Sequence, residues 1–243
     1  MATHEERLAE SIRALAKFSS LETTMTDTLR RVAELAQDAI EPAAMVGLTM
    51  EVRGGAATPV FTDELVPEID SVQYAAGTGP CLDTFRAGRT NTIRSTRRDD
   101  RWPAFSAACV RHDVGSTLSV PVVAGEHTLG ALNFYARVDD AYAPEDVDLA
   151  TAFAAQAAIV ISNAQAASGA QRLADQLSLA LESRIIIEQA KGLLMAGGRP
   201  AADAFEILKR ASQPENRKVR DVAANVVAEA ERRARVHGEG PKP

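Results

Sequence analysis

The chain has 243 residues, 46% of them hydrophobic and 25% charged, with a formal net charge of −6. That length allows one large or two modest domains, and the composition is ordinary for a folded soluble protein. Its apolar runs break off before the roughly 18 residues that a membrane span needs, and two cysteines, Cys81 and Cys109, make no disulfide framework. The opening "MATHEERLAESIRALAKF" is charged and amphipathic, unlike a signal peptide, so a reducing, cytoplasmic setting is expected.

The charge is unevenly spread. Residues 182–237 carry 11 Lys/Arg against 8 Asp/Glu, a net of +3, while the remainder carries 16 against 25, a net of −9. Such asymmetry hints at a nucleic-acid-binding module on an acidic carrier, although a solvated helix face would give the same count.

In chain order, Leu8, Ile12, Leu15 and Phe18 recur at helical spacing and predict a first helix from Met1 to Phe18. A second helix is expected from a Ser19 cap, with Glu22 completing a capping box, to Ile40 before Pro42. The period then shortens. "AAMVGLTMEVR", Gly54-Gly55 and "TPVFTD" predict a strand, a turn and a second strand. "GTGPCLDTFRAGR" reads as a short helix stopped at Gly88, "TNTIRS" as a strand, and "RWPAFSAACVRHD" as another short helix. Gly115 to Val138 predicts a hairpin turning at Gly125-Glu126. About five strands joined mostly by short links predict an antiparallel α+β sheet.

From Pro144 the pattern stays helical to Met195, with Ser168-Gly169 its one soft spot, and two shorter helices follow. One is expected over Pro200–Ser212. The other is expected from Asn216 to about Ala234, with Val219, Val222, Ala223, Val226, Val227 and Ala230 as its apolar stripe. The stretch "IIIEQAKGLLM" is apolar on two sides, which requires cover from more than one direction: the two short helices and a second copy of the chain. A glycine inside a helix costs about 1 kcal/mol relative to alanine, so Gly192 needs a reason; a closely crossing helix at Ala190 and Gly192 would supply one.

The elements "SRIIIEQAKGLLM", "DAFEILKRAS" and "NRKVRDVAANVV" occur in this order over Ala180–Val227. The segment resembles the ANTAR domain, a three-helix RNA-binding module of antitermination regulators. The resemblance implies a homodimer that binds tandem stem-loops in nascent transcripts, disfavours a terminator hairpin, and does no chemistry on the RNA. The RNA-contact candidates are Arg184, Lys191, Lys209, Arg210, Arg217, Lys218 and Arg220, since RNA is held by Lys/Arg contacts to phosphate and by stacking of splayed bases. Phe205 is assigned to packing rather than stacking. The turn Ala196–Asp203 is about one residue short of the family pattern and lacks its usual basic residue and Ser/Thr cap; Arg199 would substitute.

Upstream, "VQYAAGTGPCLDTFRAGR", "DDRWPAFSAACVRHDVGSTLSVPV" and "LGALNFYA" resemble a GAF domain of the kind that precedes ANTAR in actinobacterial regulators. That fold implies a sensor and dimerisation module and leaves its small ligand unnamed. Tyr74, Cys81, Asp83, Trp102 and Phe105 are the ligand-pocket candidates. Cys81 follows Gly79-Pro80 at a helix start, which reads either as an activated thiolate or as a small buried hydrophobe. Trp102 either lines the pocket or caps the core.

The expected organisation is an amphipathic helix (1–19), a GAF sensor (20–165), a helical, coiled-coil-like linker (166–180), a three-helix ANTAR unit (181–236) and a disordered tail (237–243). No metal site is expected from four scattered histidines, no catalytic residue from two unpaired cysteines, and no DNA binding without a helix-turn-helix signature. The alternative function is a small-molecule or redox sensor that acts through protein contacts without RNA.

Overall fold

The computed structural model describes residues 4–18, 24–52, 54–214 and 216–238, and the chain divides into two compact units between Ser168 and Gly169. In the first unit the order is α1 (His4–Phe18), α2 (Met25–Ala39), β1 (Met45–Val52), β2 (Gly55–Phe61), α3 (Leu65–Ala76), α4 (Pro80–Ala87), β3 (Asn91–Ile93), α5 (Pro103–Arg111), β4 (Ser116–Ala124) and β5 (His127–Ala136). Helix α6 (Pro144–Ala196) starts in this unit and continues into the second, where α7 (Ala201–Ser212) and α8 (Val219–Gly238) complete the chain. Ser168-Gly169 does not interrupt α6.

The five strands form one antiparallel sheet in the order β2-β1-β5-β4-β3. Side chains alternate across a strand, so register assigns each residue a face. Leu48 pairs with Leu132, and Phe134 with Val46 and Leu118. These residues share the face packed by Leu29, Val32 and Ala36 of α2 and by Leu149, Phe153, Ala157 and Ile161 of α6. The opposite face carries Met45 and Tyr135 beneath Val66 and Ile69 of α3 and Phe105 and Cys109 of α5. Close approach of the helices to this second face needs a glycine: a Cβ on Gly47 would lie 2.6 Å from Val66 Cγ1.

The turn residues act where expected. Gly88, at φ 61°, ends α4 in the left-handed conformation, and Gly125, also at φ 61°, turns the β4–β5 hairpin. Three boundaries differ from expectation. The proposed Ser19 cap lies outside the described residues, and α2 begins instead at Met25, where Thr24 and Asp27 form a capping box. Pro200 is the N-cap of α7 rather than its first helical residue. Helix α8 begins at Val219, not Asn216, and reaches Gly238, so it runs into the segment expected to be a disordered tail; the last five residues lie outside the described ones.

Helix α3 was not foreseen. Its buried positions are Val66, Ile69, Asp70 and Gln73, so half of its inward face is polar and no apolar stripe announces it. By length and composition α6 could cross a membrane, but 44% of its most apolar stretch is buried, and Leu149, Phe153, Ala157 and Ile161 belong to the first unit's core. A core helix meets the same criterion.

The second unit is held by Ala190 of α6, Leu208 of α7 and Ala223 of α8, with Ile186, Ile187, Leu194 and four valines of α8 packed around them. Ala190 is buried, as close helix crossing requires, whereas Gly192 faces open space, with nothing within 4 Å of a Cβ built on it. The close crossing expected at Gly192 does not occur within the chain.

Candidate functional site

The face of the sheet under α3, α4 and α5 is polar as well as buried, and its centre is Asp70. This carboxylate, fully enclosed on α3, accepts from Thr58 Oγ1 at 2.6 Å, Gln73 Nε2 at 2.8 Å and Tyr135 OH at 2.5 Å, and the Cys81 thiol lies 3.7 Å away. Burial raises the Asp70 pKa, while the hydrogen bonds from Thr58, Tyr135, Gln73 and Cys81 oppose the rise. Among the described residues no Lys or Arg forms an ion pair with it, so donors rather than a counter-charge hold the group.

With Asp70 ionised, the direction of the surrounding chain is forced. Thr58 spends its proton on Asp70 and accepts from Tyr74 OH at 2.5 Å. Tyr74 then accepts from Thr49 Oγ1 at 3.0 Å, and Thr49 from Asn133 Nδ2 at 2.8 Å. The chain ends at Asn133 Oδ1, which is buried and has no hydrogen-bond partner among the described residues; Thr117 Oγ1 of β4 is in the same condition. Both side chains belong to the polar face. Bare acceptors of this kind are where a water or a small ligand would bind.

The five pocket candidates divide. Tyr74 and Cys81 join the Asp70 network. Asp83 and Trp102 form a separate pair: the indole Nε1 donates to Asp83 Oδ2 at 2.9 Å and the Arg101 guanidinium lies 4.5 Å from the indole ring, tying the start of α5 to α4. Trp102 is 7% exposed and Phe105 1%, both inside the second core, so they cap and fill it rather than line an opening. Cys81 does begin α4, but burial first and the Asp70 charge second push its thiol well above the ordinary range. The helix start does not yield a reactive thiolate here. Burial does the same to Cys109, with Asp70 again adding to it. Asp70, Thr58, Gln73, Asn133 and Tyr135 were missed from sequence; the signal available was "LNFYA", where Asn133 and Tyr135 alternate with the core residues Leu132 and Phe134.

In the second unit, five of the seven cationic candidates converge on the α7–α8 turn. Lys209 and Arg210 occupy the last turn of α7, and the Arg217 N–H donates to Ser212 O at 3.0 Å, folding the link back. Lys218 carbonyl accepts from Asp221 and Val222 at the start of α8, and Arg220 lies in its first turn. Arg217 and Lys218 thus precede α8 instead of riding on it. Lys209 lies 3.6 Å from Glu206, Arg210 Nε donates to Glu206 O at 3.3 Å, and Arg220 approaches Asp221 at 3.4 Å. These exposed, loose contacts leave the cations accessible.

The other two candidates are on α6. Arg184 is exposed, and Lys191, half-buried, donates to both oxygens of Glu188 at 2.8 and 2.9 Å. Arg199 is exposed in the turn after α6, next to Gly198 at φ 87°. Phe205 corrects the expectation of packing: it is 40% exposed on α7, one turn before Lys209.

Comparison with known proteins places both units. The GAF domain family model matches residues 22–162 and the ANTAR domain model residues 175–227. No curated protein matches the chain. Among solved structures, the free methionine-R-sulfoxide reductase of Neisseria meningitidis in complex with its substrate is 16% identical, with a TM-score of 0.54 over 69% of this chain and 96% of that one. The GAF domain of Acinetobacter phosphoenolpyruvate-protein phosphotransferase is also 16% identical, with a TM-score of 0.52 over 68% and 97%. At such identity these likenesses establish the fold alone. Sheet, flanking helices and the three-helix unit agree with the two matched models: the chain belongs to the GAF family, and its GAF domain is followed by an ANTAR domain, the architecture of a regulatory protein.

Proposed function

We propose that the protein is a signal-responsive, homodimeric RNA-binding regulator, not an enzyme, that engages tandem stem-loops in nascent transcripts and promotes antitermination under control of its GAF domain. The observation that carries this reading is the gathering of Lys209, Arg210, Arg217, Lys218 and Arg220 at one turn of an ANTAR domain, with the Phe205 ring exposed one turn away. The cations supply phosphate contacts and the ring a stacking surface for a splayed loop base. Arg184 and Lys191 extend the cationic surface along α6, with Glu188 holding the Lys191 ammonium in place.

The GAF interior is the sensing element in this reading. A small ligand that donates to Asn133 Oδ1 would bind one form of the polar network in preference to another, and such differential affinity is what shifts a population. Thiol chemistry is not part of the reading, because both cysteines are buried with raised pKa values.

The test is binding of the full chain to a tandem stem-loop RNA across a salt series. Neutralised phosphates give a linear fall of log affinity with log salt. The triple substitution Arg217→Ala, Lys218→Ala, Arg220→Ala is expected to weaken binding at least tenfold and flatten the slope. Phe205→Ala is expected to weaken binding with the slope unchanged. Absence of salt-dependent binding to any hairpin RNA sinks the reading and leaves a sensor acting through protein contacts.

A further inference from the structure

Helix α8 outruns the domain it belongs to. The matched ANTAR segment ends at residue 227, whereas α8 continues to Gly238, about three further turns at 3.6 residues each. The cations of this extension are Arg232, Arg233 and Arg235, set against Glu229 and Glu231. All three arginines are exposed. Arg232 donates to Glu229 Oε2 at 2.7 and 3.1 Å and Arg233 to Glu229 Oε1 at 2.9 Å, so one carboxylate serves two guanidiniums. Arg235 has no side-chain partner among the described residues.

The placement of these cations on the helix tells what they face. At about 100° per residue, Arg232 and Arg235 lie about 150° from the centre of the stripe of Val219, Val222, Ala223, Val226 and Val227 that joins the unit's core. Arg220, in the first turn of α8, falls with them in one sector of about 120°. Along the axis Arg220 and Arg232 are about 18 Å apart. Past Asp221, which Arg220 approaches, the outward positions between them are Ala224, Asn225 and Ala228, small and uncharged. A face with cations at both ends and a low, neutral middle suits duplex RNA, which is held through phosphate contacts across its shallow minor groove. The helix dipole accounts for less, since its effect falls off within the last turn and Arg232 and Arg233 precede that turn.

We propose that the arginines of the α8 extension hold phosphates of the RNA stem, with Glu229 as an internal competitor that occupies Arg232 and Arg233 until the RNA displaces it. The guanidinium fork fits carboxylate and phosphate alike, which makes such an exchange possible. The assignment rests on the RNA-binding reading above and extends its contact surface from the α7–α8 turn to the far end of α8.

The test measures binding of the full chain to the tandem stem-loop RNA across a salt series. It compares wild type, the triple substitution Arg232→Gln, Arg233→Gln, Arg235→Gln, and the single substitution Glu229→Gln. Gln is close to Arg in helix propensity, and circular dichroism checks the helix content of each variant. The triple variant is expected to bind at least tenfold more weakly and to flatten the slope of log affinity against log salt by about two. Glu229→Gln is expected to strengthen binding a few-fold although it breaks two ion pairs; arginines that served the helix alone would give no such gain. A triple variant with wild-type affinity and slope, or one whose loss of affinity tracks a loss of helix content, overturns this proposal. The α7–α8 turn then remains the RNA contact, and the extension faces solvent or an acidic protein. Unchanged or weakened binding by Glu229→Gln also overturns it. A wild-type chain that binds no hairpin RNA at any salt concentration defeats the RNA-binding reading itself.

Discussion

The two units solve the problem of burial differently. The first encloses large side chains completely: Phe134, Phe153, Ile69, Leu118 and Tyr135 are all inaccessible to water, on two faces of one sheet. Among its described residues the second fully buries the small apolar set Ala190, Ala204, Leu208 and Ala223 and leaves Ile185, Leu193, Met195 and Phe205 between 40 and 56% exposed. So thin a core predicts a small helical unit of low stability on its own.

Substitutions in the two cores test that contrast. Phe134→Ala should cost about 4 kcal/mol in the first unit, the usual range for a fully buried aromatic. Leu208→Ala should cost about 2–3 kcal/mol in the second. Denaturant unfolding followed by helix and near-ultraviolet signals should show each loss confined to its own transition. A single transition shifted equally by both would mean that the units do not unfold independently.

The buried carboxylate gives a pH signature to the first unit alone. Burial raises the Asp70 pKa in the folded state, so the folded chain keeps the proton to higher pH than the unfolded chain does. Its stabilising contribution is complete below the unfolded value near 4 and declines as pH rises through the folded value. Asp70→Asn removes the titration and mimics the protonated form. The stability difference, wild type minus variant, should therefore fall as pH rises above about 4, measured by urea unfolding. A difference that grows with pH would mean that the donors from Thr58, Tyr135 and Gln73 outweigh burial.

The smallest effect concerns a helix end. Thr24→Ala removes the capping box of α2 and should cost about 1 kcal/mol, lowering the melting temperature of the first unit by a few degrees without touching RNA affinity. A larger loss would show that α2 is docked less firmly by its apolar face than its burial suggests.

Local rules made much of the architecture legible. Strand patterning marked β1, β4 and β5, Gly125 marked the β4–β5 turn, Gly88 the end of α4, and Pro80 and Pro144 helix starts. The cationic stretch was equally visible, because charge is a property of composition. Helix α3 escaped because its inward face mixes Val66 and Ile69 with Asp70 and Gln73, and polar residues at core positions erase the periodic signal. The interior site escaped with it. Asp70 meets Thr58 across 12 positions and Tyr135 across 65, separations at which no spacing rule operates.

Sequence alone therefore determined the two domains, their order, and which residues are charged, because these follow from period, turn chemistry and motif. Tertiary structure decided which polar residues share a buried face, that the Cys81 thiol is shielded by burial, and that Phe205 and Gly192 face outward. The physical reason is that burial belongs to a residue's neighbours in space. Those neighbours come from distant strands and helices, and the chain's order does not name them.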